Sequence, residues 1–189
     1  CGFSLGSPMN HLLALSLYAT ISRELGLPLR FPGHPQAFAA LYQFTDARLL
    51  ARAMEWAATT SACENEAFNM TNGEPDRWQN VWPELTQCFG MPAGPVQQIN
   101  LARMMADKEP LWARMREVSG LQPYTLEQLV NWSYADWAYA SPYDQVSSLA
   151  KARRAGWHEV LEPAVMFAEL VDGLVGQRVI PPPAFPGAA

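Results

Sequence analysis

The sequence predicts a mainly helical α/β chain in which a few short strands are scattered among the helices. Apolar residues recur at helical spacing in most segments, whereas the strand-like runs are only two to five residues long. Hydrophobic residues make up 49% of the 189 residues, which is enough for one domain with a sizeable core. A parallel sheet needs more strands than these. The strands therefore belong either to a sheet completed elsewhere or to a small α+β domain.

The first predicted helix starts at Ser7-Pro8 and runs to about Leu25. Ser7 is a favoured N-cap residue, Pro8 suits the first helical position, and Gly26 suits the C-terminal stop. Apolar residues cover nearly every side of this segment, so we expect it to be buried almost all round.

Further elements follow from spacing and from stop residues. A second helix is capped by Thr45 or Asp46 and runs to about Thr59, with a clean apolar face. Later helices are expected at about 76–89, 99–107, 109–118, 125–139, 144–155 and 163–175. In the 144–155 segment, Asp144 falls in the first turn and three cations fall in the last turns, as the helix dipole favours. Short strands are expected at 27–31, 67–70 and 179–180, and residues 182–189 are expected to form a frayed tail.

Charge and composition exclude several classes of protein. Thirteen basic residues stand against 18 acidic ones, a net charge of −5, and no basic run is present, so nucleic-acid and membrane partners are not expected. Three cysteines without metal-ligand spacing argue against a disulfide framework and for a reducing, cytoplasmic compartment. The chain opens on Cys1 without a secretory signal, which we interpret as a start within a longer sequence.

The common nucleotide-binding and reductase motifs are absent from the sequence. It has no Gly-x-Gly-x-x-Gly, no phosphate-binding Gly-x-x-x-x-Gly-Lys and no Tyr-x-x-x-Lys. The three histidines lack metal-ligand spacing, and no metal site is expected. Cys88 is interpreted as a small core residue and Cys63 as part of a connection, and neither has a nucleophile signature.

One aromatic cluster stands out between positions 132 and 143. On a helix, Trp132 and Tyr139 share one face and Tyr134 and Trp137 share another. Such a helix can pack on a core with one side and line a pocket with the other, and the residues alone leave open whether a pocket exists. Asp136 lies among these aromatics, and we favour a role as an acceptor of N–H groups over a role as a pocket carboxylate.

Several segments, in this order and spacing, together resemble a known family. They are Gly2-Phe3-Ser4 with Ser7-Pro8-Met9-Asn10, Leu29-Arg30-Phe31-Pro32-Gly33, Thr45 to Ala51 with Trp56-Ala57-Ala58, Glu66-Ala67-Phe68-Asn69 with Asn72-Gly73-Glu74 and Trp78, Trp82-Pro83 with Phe89-Gly90, Trp132 to Asp136, and Ser148 to Lys151 with Gly156-Trp157. This set resembles the progesterone 5β-reductase/iridoid synthase-like family of the extended short-chain dehydrogenases/reductases, over about residues 2–181. Asn72-Gly73-Glu74 departs slightly from the family's common Asn-Gly-Asp.

The resemblance implies the C-terminal part of a Rossmann-type enzyme. Residues 1–60 would hold the end of the NAD(P)-binding region with its following helices, and residues 61–181 the substrate-binding region. The family uses NADPH to reduce activated C=C bonds of enones, with a catalytic Tyr and Lys. The resemblance places both catalytic residues and the glycine-rich loop upstream of this chain, so the chain contains no catalytic residue and is expected to be inactive alone.

Few site residues carry over from the family. Ser7, Pro8 and Met9 are the candidates for contact with the cofactor, and an alternative is that Ser7 only caps the helix. Met9, Trp132 and Tyr134 are the candidates for the substrate pocket. The expected ligand is a small apolar carbonyl or enone compound, and a second copy of the chain is a candidate partner.

Two other functions stay open from the sequence. A nucleotide-sugar epimerase or dehydratase of the same superfamily would need polar and Arg groups for a diphosphate. A non-catalytic, truncated interaction module would retain the fold without the chemistry.

Overall fold

The computed structural model describes residues 1–2 and 5–183, so Phe3, Ser4 and positions 184–189 of the predicted tail lie outside the described residues. Helices dominate the described chain, and its one sheet has two strands. The helices are α1 (His11–Glu24), α2 (Pro35–Ala39), α3 (Ala47–Thr59), α4 (Trp78–Cys88), α5 (Leu101–Met105), α6 (Glu109–Ser119), α7 (Leu126–Leu129), α8 (Trp132–Ala138), α9 (Ala150–Arg154) and α10 (Pro163–Gly176). The mainly helical prediction is confirmed, whereas these elements by themselves do not show a Rossmann sheet.

Helix α1 lies at the centre of the main core. Every residue from Leu12 to Ser22 is buried, which confirms the expected all-round burial. The predicted cap is wrong: α1 begins at His11, and the Asn10 side chain accepts hydrogen bonds from the backbone N–H groups of Leu12 (3.0 Å) and Leu13 (3.3 Å). Asn10 is as good an N-cap as Ser7, and the chain turns three residues later than the Ser-Pro signal indicates.

Helices α3, α6 and α10 agree with their predicted positions. Asp46 caps α3 by accepting the backbone N–H of Arg48, which decides between the two predicted caps. Gly120 ends α6 in the left-handed conformation with a φ of 60°, which glycine adopts without steric cost.

The predicted strands are mostly wrong. Strands β1 (Leu41–Tyr42) and β2 (Asp76–Arg77) pair antiparallel, and neither was predicted, since Asp76 and Arg77 were assigned to the start of a helix. In the 27–31 segment only Leu29 forms a bridge, with Ala93, and the 67–70 and 179–180 segments form no strand among the described residues. The apolar side chains at positions 29, 31, 179 and 180 are buried in the main core although none of them lies in a strand, and those at positions 68 and 70 are only half-buried. A short apolar run is therefore compatible with burial outside a sheet.

Three predicted helices are shorter than expected. The 99–107 segment is helical only over α5. The 125–139 segment splits into α7 and α8 because Val130 is extended and the backbone N–H of Asn131 donates to the carbonyl of Pro8 at 2.7 Å. The 144–155 segment is helical only over α9. Its first part instead lies along β1, where the backbone N–H of Gln145 donates to the carbonyl of Leu41 at 2.8 Å.

Candidate functional site

An open cleft of about 230 Å³ lies between helix α8, the loop that follows it and strand β1. Two of its aromatic side chains are largely exposed, Trp137 at 72% and Tyr143 at 68%. Contiguous exposed aromatic surface on a folded domain is typical of a binding site. The cleft is lined by Tyr42, Tyr134, Trp137, Ala138, Ala140, Ser141, Pro142, Tyr143 and Gln145.

Helix α8 presents two of these aromatic rings side by side. The Asn131 side chain caps α8 by accepting the backbone N–H of Tyr134 at 3.0 Å. The rings of Tyr134 and Trp137, three positions apart on the helix, have centroids 5.8 Å apart. The predicted shared face is therefore confirmed, and it faces the cleft.

The other face of α8 packs inward, as predicted. Tyr139 is buried, and Trp132 is half-buried against the main core. Asp136 accepts the backbone N–H groups of Leu101 (2.6 Å) and Ala102 (3.1 Å), the first two residues of α5. This confirms the predicted N–H acceptor role. The carboxylate thus ties α8 to α5 and is not a reactive group of the cleft.

Tyr42 forms the opposite wall of the cleft from strand β1. Its ring contacts Phe44 (5.1 Å) and Trp78 (5.8 Å) on the inner side, and it lines the cleft on the outer side. Burial raises the pKa of the Tyr42 phenol, and nearby Tyr134 raises it further. The phenol is therefore protonated at neutral pH and can donate a hydrogen bond.

His11 lies behind this wall, between Trp78 (ring centroids 5.3 Å apart) and Tyr139 (4.7 Å apart, edge-on). Part of the residue reaches the surface, but its Nε2 atom is buried without a hydrogen-bond partner. Burial lowers the pKa of His11 to about 4, so the imidazole is neutral at pH 7. The Tyr139 hydroxyl is also buried without a partner, and burial raises its pKa well above the usual value.

The predicted site residues lie in two neighbouring places. Ser7 is half-buried, and Pro8 and Met9 are exposed, in the loop before α1. The Pro8 carbonyl accepts a hydrogen bond from the backbone N–H of Asn131, the residue before Trp132, so this loop adjoins the start of α8. Of the three predicted pocket residues, Tyr134 lines the cleft and Met9 and Trp132 do not. The roles of all five remain predictions.

Sequence reasoning missed Tyr42, Gln145 and the packing of His11. Tyr42 lies in the 34–44 segment, where no clear periodicity is present, and Gln145 lies where a helix was expected. A two-residue strand leaves no period-2 pattern to find. Tyr143 belongs to the aromatic cluster that the sequence singled out, so the cluster itself was the useful signal.

The described residues do not fit a complete dinucleotide site. Asn10 already binds the backbone N–H groups of Leu12 and Leu13 at the start of α1, which leaves fewer donors for a phosphate there. No Lys or Arg lies between Cys1 and Ile21, and the glycine-rich loop is absent from the sequence. Within residues 1–2 and 5–183, no group of three or more His, Cys, Asp or Glu side chains could hold a metal ion. No helix in the same part of the chain is both long enough and apolar enough to cross a membrane.

No protein-family model matches the chain. Curated relatives do match it over nearly its whole length. It is 31% identical over 183 residues to an (S)-8-oxocitronellyl enol synthase of Nepeta cataria, a match that covers 95% of this chain and 47% of the relative. It is 30% identical over 184 residues to the enzyme of the same name from Catharanthus roseus, with the same two coverages. A 3-oxo-Delta(4,5)-steroid 5-beta-reductase of Arabidopsis thaliana is 30% identical over 183 residues, again at 95% and 47%.

These relatives are reductase-type enzymes, and the chain is their homologue. The chain belongs to the progesterone 5β-reductase/iridoid synthase-like family, which confirms the resemblance read from its motifs. It spans about half the length of the curated relatives that it matches.

Proposed function

We propose that this chain forms the substrate-binding portion of an NADPH-dependent oxidoreductase that reduces the activated C=C bond of an apolar enone. The observation that supports this most is the exposed aromatic cleft in a chain whose relatives include a reductase named for a 3-oxo-Delta(4,5)-steroid. Such a steroid is an apolar ring system with a C=C bond conjugated to a carbonyl. Flat aromatic side chains suit a ligand of that kind.

Each cleft residue has a separate task in this proposal. The rings of Tyr134 and Trp137 pack against the apolar body of the substrate. The Tyr42 hydroxyl and the Gln145 amide are the polar groups that orient it. Ser7, Pro8 and Met9 contact the edge of the cofactor, and residues outside this chain hold the remainder of NADPH.

The cleft argues against the nucleotide-sugar alternative. Among its nine lining residues there is no Lys or Arg, whereas a diphosphate needs cations or a free helix N-terminus. The non-catalytic alternative differs from the proposal in turnover, and turnover is what the experiment measures.

The experiment joins the N-terminal portion of the Nepeta cataria relative, up to the start of the match, to this chain. NADPH oxidation is followed at 340 nm with progesterone or 2-cyclohexenone as the substrate. We expect turnover by the chimera and none by the 189-residue chain alone. Absence of turnover by a folded chimera would contradict the proposal and favour the non-catalytic module.

Two variants of the chimera locate the substrate. Trp137→Ala should raise KM by about fivefold to tenfold, because an aromatic contact contributes about 1 kcal/mol. Val118→Ala is the matched control, since Val118 is also exposed (82%) but lies outside the cleft. An equal effect of the two substitutions would remove the cleft from the proposal.

A further inference from the structure

The aromatic cleft continues into a longer groove. A second cavity shares Tyr42 and Gln145 with the cleft. A third cavity, of about 680 Å³, shares Gln43, Val146 and Ser147 with the second. The three cavities therefore follow one another along the 141–148 segment, and we call them together the amphipathic groove.

The groove has a fixed wall. The 141–148 segment runs beside β1, held by hydrogen bonds from the Gln145 N–H to the Leu41 carbonyl (2.8 Å) and from the Ser147 N–H to Gln43 Oε1 (2.5 Å). The Asp144 carboxylate accepts the Leu41 N–H at 2.8 Å, so it is used in this wall. An extended chain from Tyr143 to Ser147 spans about 13 Å, which sets the scale of a ligand that reaches both ends.

The two ends of the groove differ in chemistry. One end is the aromatic cleft, with Tyr134, Trp137 and Tyr143. The other end is lined by Arg153 and Arg154 of helix α9. The middle carries the neutral polar side chains of Gln43, Thr71, Gln145 and Ser147.

One cation at the far end is not neutralised. Glu74 lines the same end and forms an ion pair with Arg153, so those two charges cancel. Arg154 is exposed and has no ion pair within the part of the chain that the structure describes. A guanidinium group in this position suits a planar carboxylate, which it can bind through two hydrogen bonds.

We propose that the amphipathic groove binds a small amphipathic carboxylate, with its apolar ring in the aromatic cleft and its carboxylate at Arg154. The backbone span of about 13 Å from Tyr143 to Ser147 sets the order of length of such a ligand. The inference rests on the proposed function in taking the cleft as the place of the substrate body. It adds that the substrate class carries an anionic group at the end remote from the ring.

The test measures binding to the 189-residue chain by isothermal titration calorimetry, without NADPH. The probes are 8-phenyloctanoate, whose extended length from ring to carboxylate is close to that span, and its uncharged primary amide, which has the same ring and chain. At low ionic strength we expect the carboxylate to bind at least fivefold more tightly than the amide. Added salt should reduce that preference, since an exposed ion pair is screened.

Three variants assign the two ends. Arg154→Gln should lower carboxylate affinity to that of the amide and leave amide binding unchanged. Arg103→Gln is the matched control, because Arg103 is also an exposed arginine without an ion pair among the described residues, on a helix of the same length. Trp137→Ala should weaken both probes alike, because it removes the shared contact with the ring.

Equal affinity of the wild-type chain for the two probes would overturn the inference. So would an equal loss in Arg154→Gln and Arg103→Gln, since that would show general attraction to positive charge. These outcomes are separate from the turnover test: a chimera that reduces neutral enones while the chain shows no carboxylate preference refutes only this inference. A carboxylate preference at Arg154 without turnover supports the groove and contradicts the reductase.

Discussion

Two aromatic clusters of this chain differ in what surrounds them. The buried cluster centres on Trp78, whose ring has seven aromatic neighbours within about 6 Å: His11, Phe31, Tyr42, Phe44, Trp82, Tyr139 and Phe167. The exposed cluster is the cleft, where Trp137 has Tyr134 as its aromatic neighbour. Tyr42 belongs to both, because it packs on Trp78 and lines the cleft.

The comparison teaches that residue type does not decide the role of an aromatic side chain. Trp78 is 2% exposed and Trp137 is 72% exposed, although both lie on short amphipathic helices. Burial of an aromatic side chain stabilises the fold. The apolar surface of an exposed ring can instead be buried by a bound ligand, and its burial then contributes to the binding free energy. The distinction between the two clusters is therefore tested by substitutions in each. A substitution in the buried cluster should lower stability, and one in the exposed cluster should lower ligand binding.

The largest expected effect is at the centre of the buried cluster. Trp78→Ala should lower the free energy of unfolding by about 4 kcal/mol, because it leaves a large cavity among packed rings. Urea denaturation measures this, and Trp78→Phe should lose much less, since it keeps a ring in place. A loss below about 1 kcal/mol for Trp78→Ala would show that the cluster is not the core of the fold.

His11 gives the buried cluster a dependence on pH. Its pKa is about 4 in the folded chain against an ordinary 6.5, so between these values the unfolded chain binds more protons than the folded chain. Stability should therefore rise with pH between about 4 and 6.5 and be lost as pH falls through that window, by at most about 3 kcal/mol.

The matched variant for this pH dependence is His11→Phe, which should remove the slope of stability against pH in that window. Identical slopes in wild type and His11→Phe between pH 4.5 and 6.5 would contradict the assignment to His11.

Asp46 acts in a lower pH window. Burial raises the pKa of its carboxyl, but hydrogen bonds from Arg48 outweigh burial and hold that pKa below 3.8. The stabilisation by Asp46 is present above pH 3.8 and is lost as pH falls through the lower, folded pKa.

Asp136 connects the exposed cluster to the rest of the fold. Asp136→Ala removes the acceptor for two backbone N–H groups at the start of α5 and should cost about 1–2 kcal/mol. Asp172→Ala is the control, because Asp172 is exposed on α10 and should change stability by less than about 0.5 kcal/mol. Equal costs for the two substitutions would show that α8 is not held through Asp136.

The smallest expected effect on stability is in the exposed cluster. Trp137→Ala should change the free energy of unfolding by less than about 0.5 kcal/mol, because the side chain is largely exposed. The same substitution should still weaken ligand binding. A stability loss comparable with that of Trp78→Ala would mean that the cleft is a packing surface, and the comparison between the two clusters would no longer hold.

Local sequence patterns determined much of this structure. The stop at Gly120 depends on that residue's own backbone freedom. The apolar spacing of α1, α3, α6 and α10 and the pairing of Tyr134 with Trp137 depend on residues three or four positions apart. Such pairs lie on one face of a helix independently of the tertiary contacts that the helix makes. The N–H acceptor role of Asp136 was predicted on a different ground, namely that a carboxylate among aromatic side chains needs hydrogen-bond donors.

Only the tertiary structure decided where the site forms. The break between α7 and α8 depends on a hydrogen bond from Asn131 to Pro8, and the cleft wall depends on the 141–148 segment lying beside β1. These contacts join residues more than 100 positions apart, and no local period records them. The sequence by itself determined the family and the helical faces. Tyr42 and Tyr134 line one cleft because of packing, since β1 and α8 come together only in the folded chain.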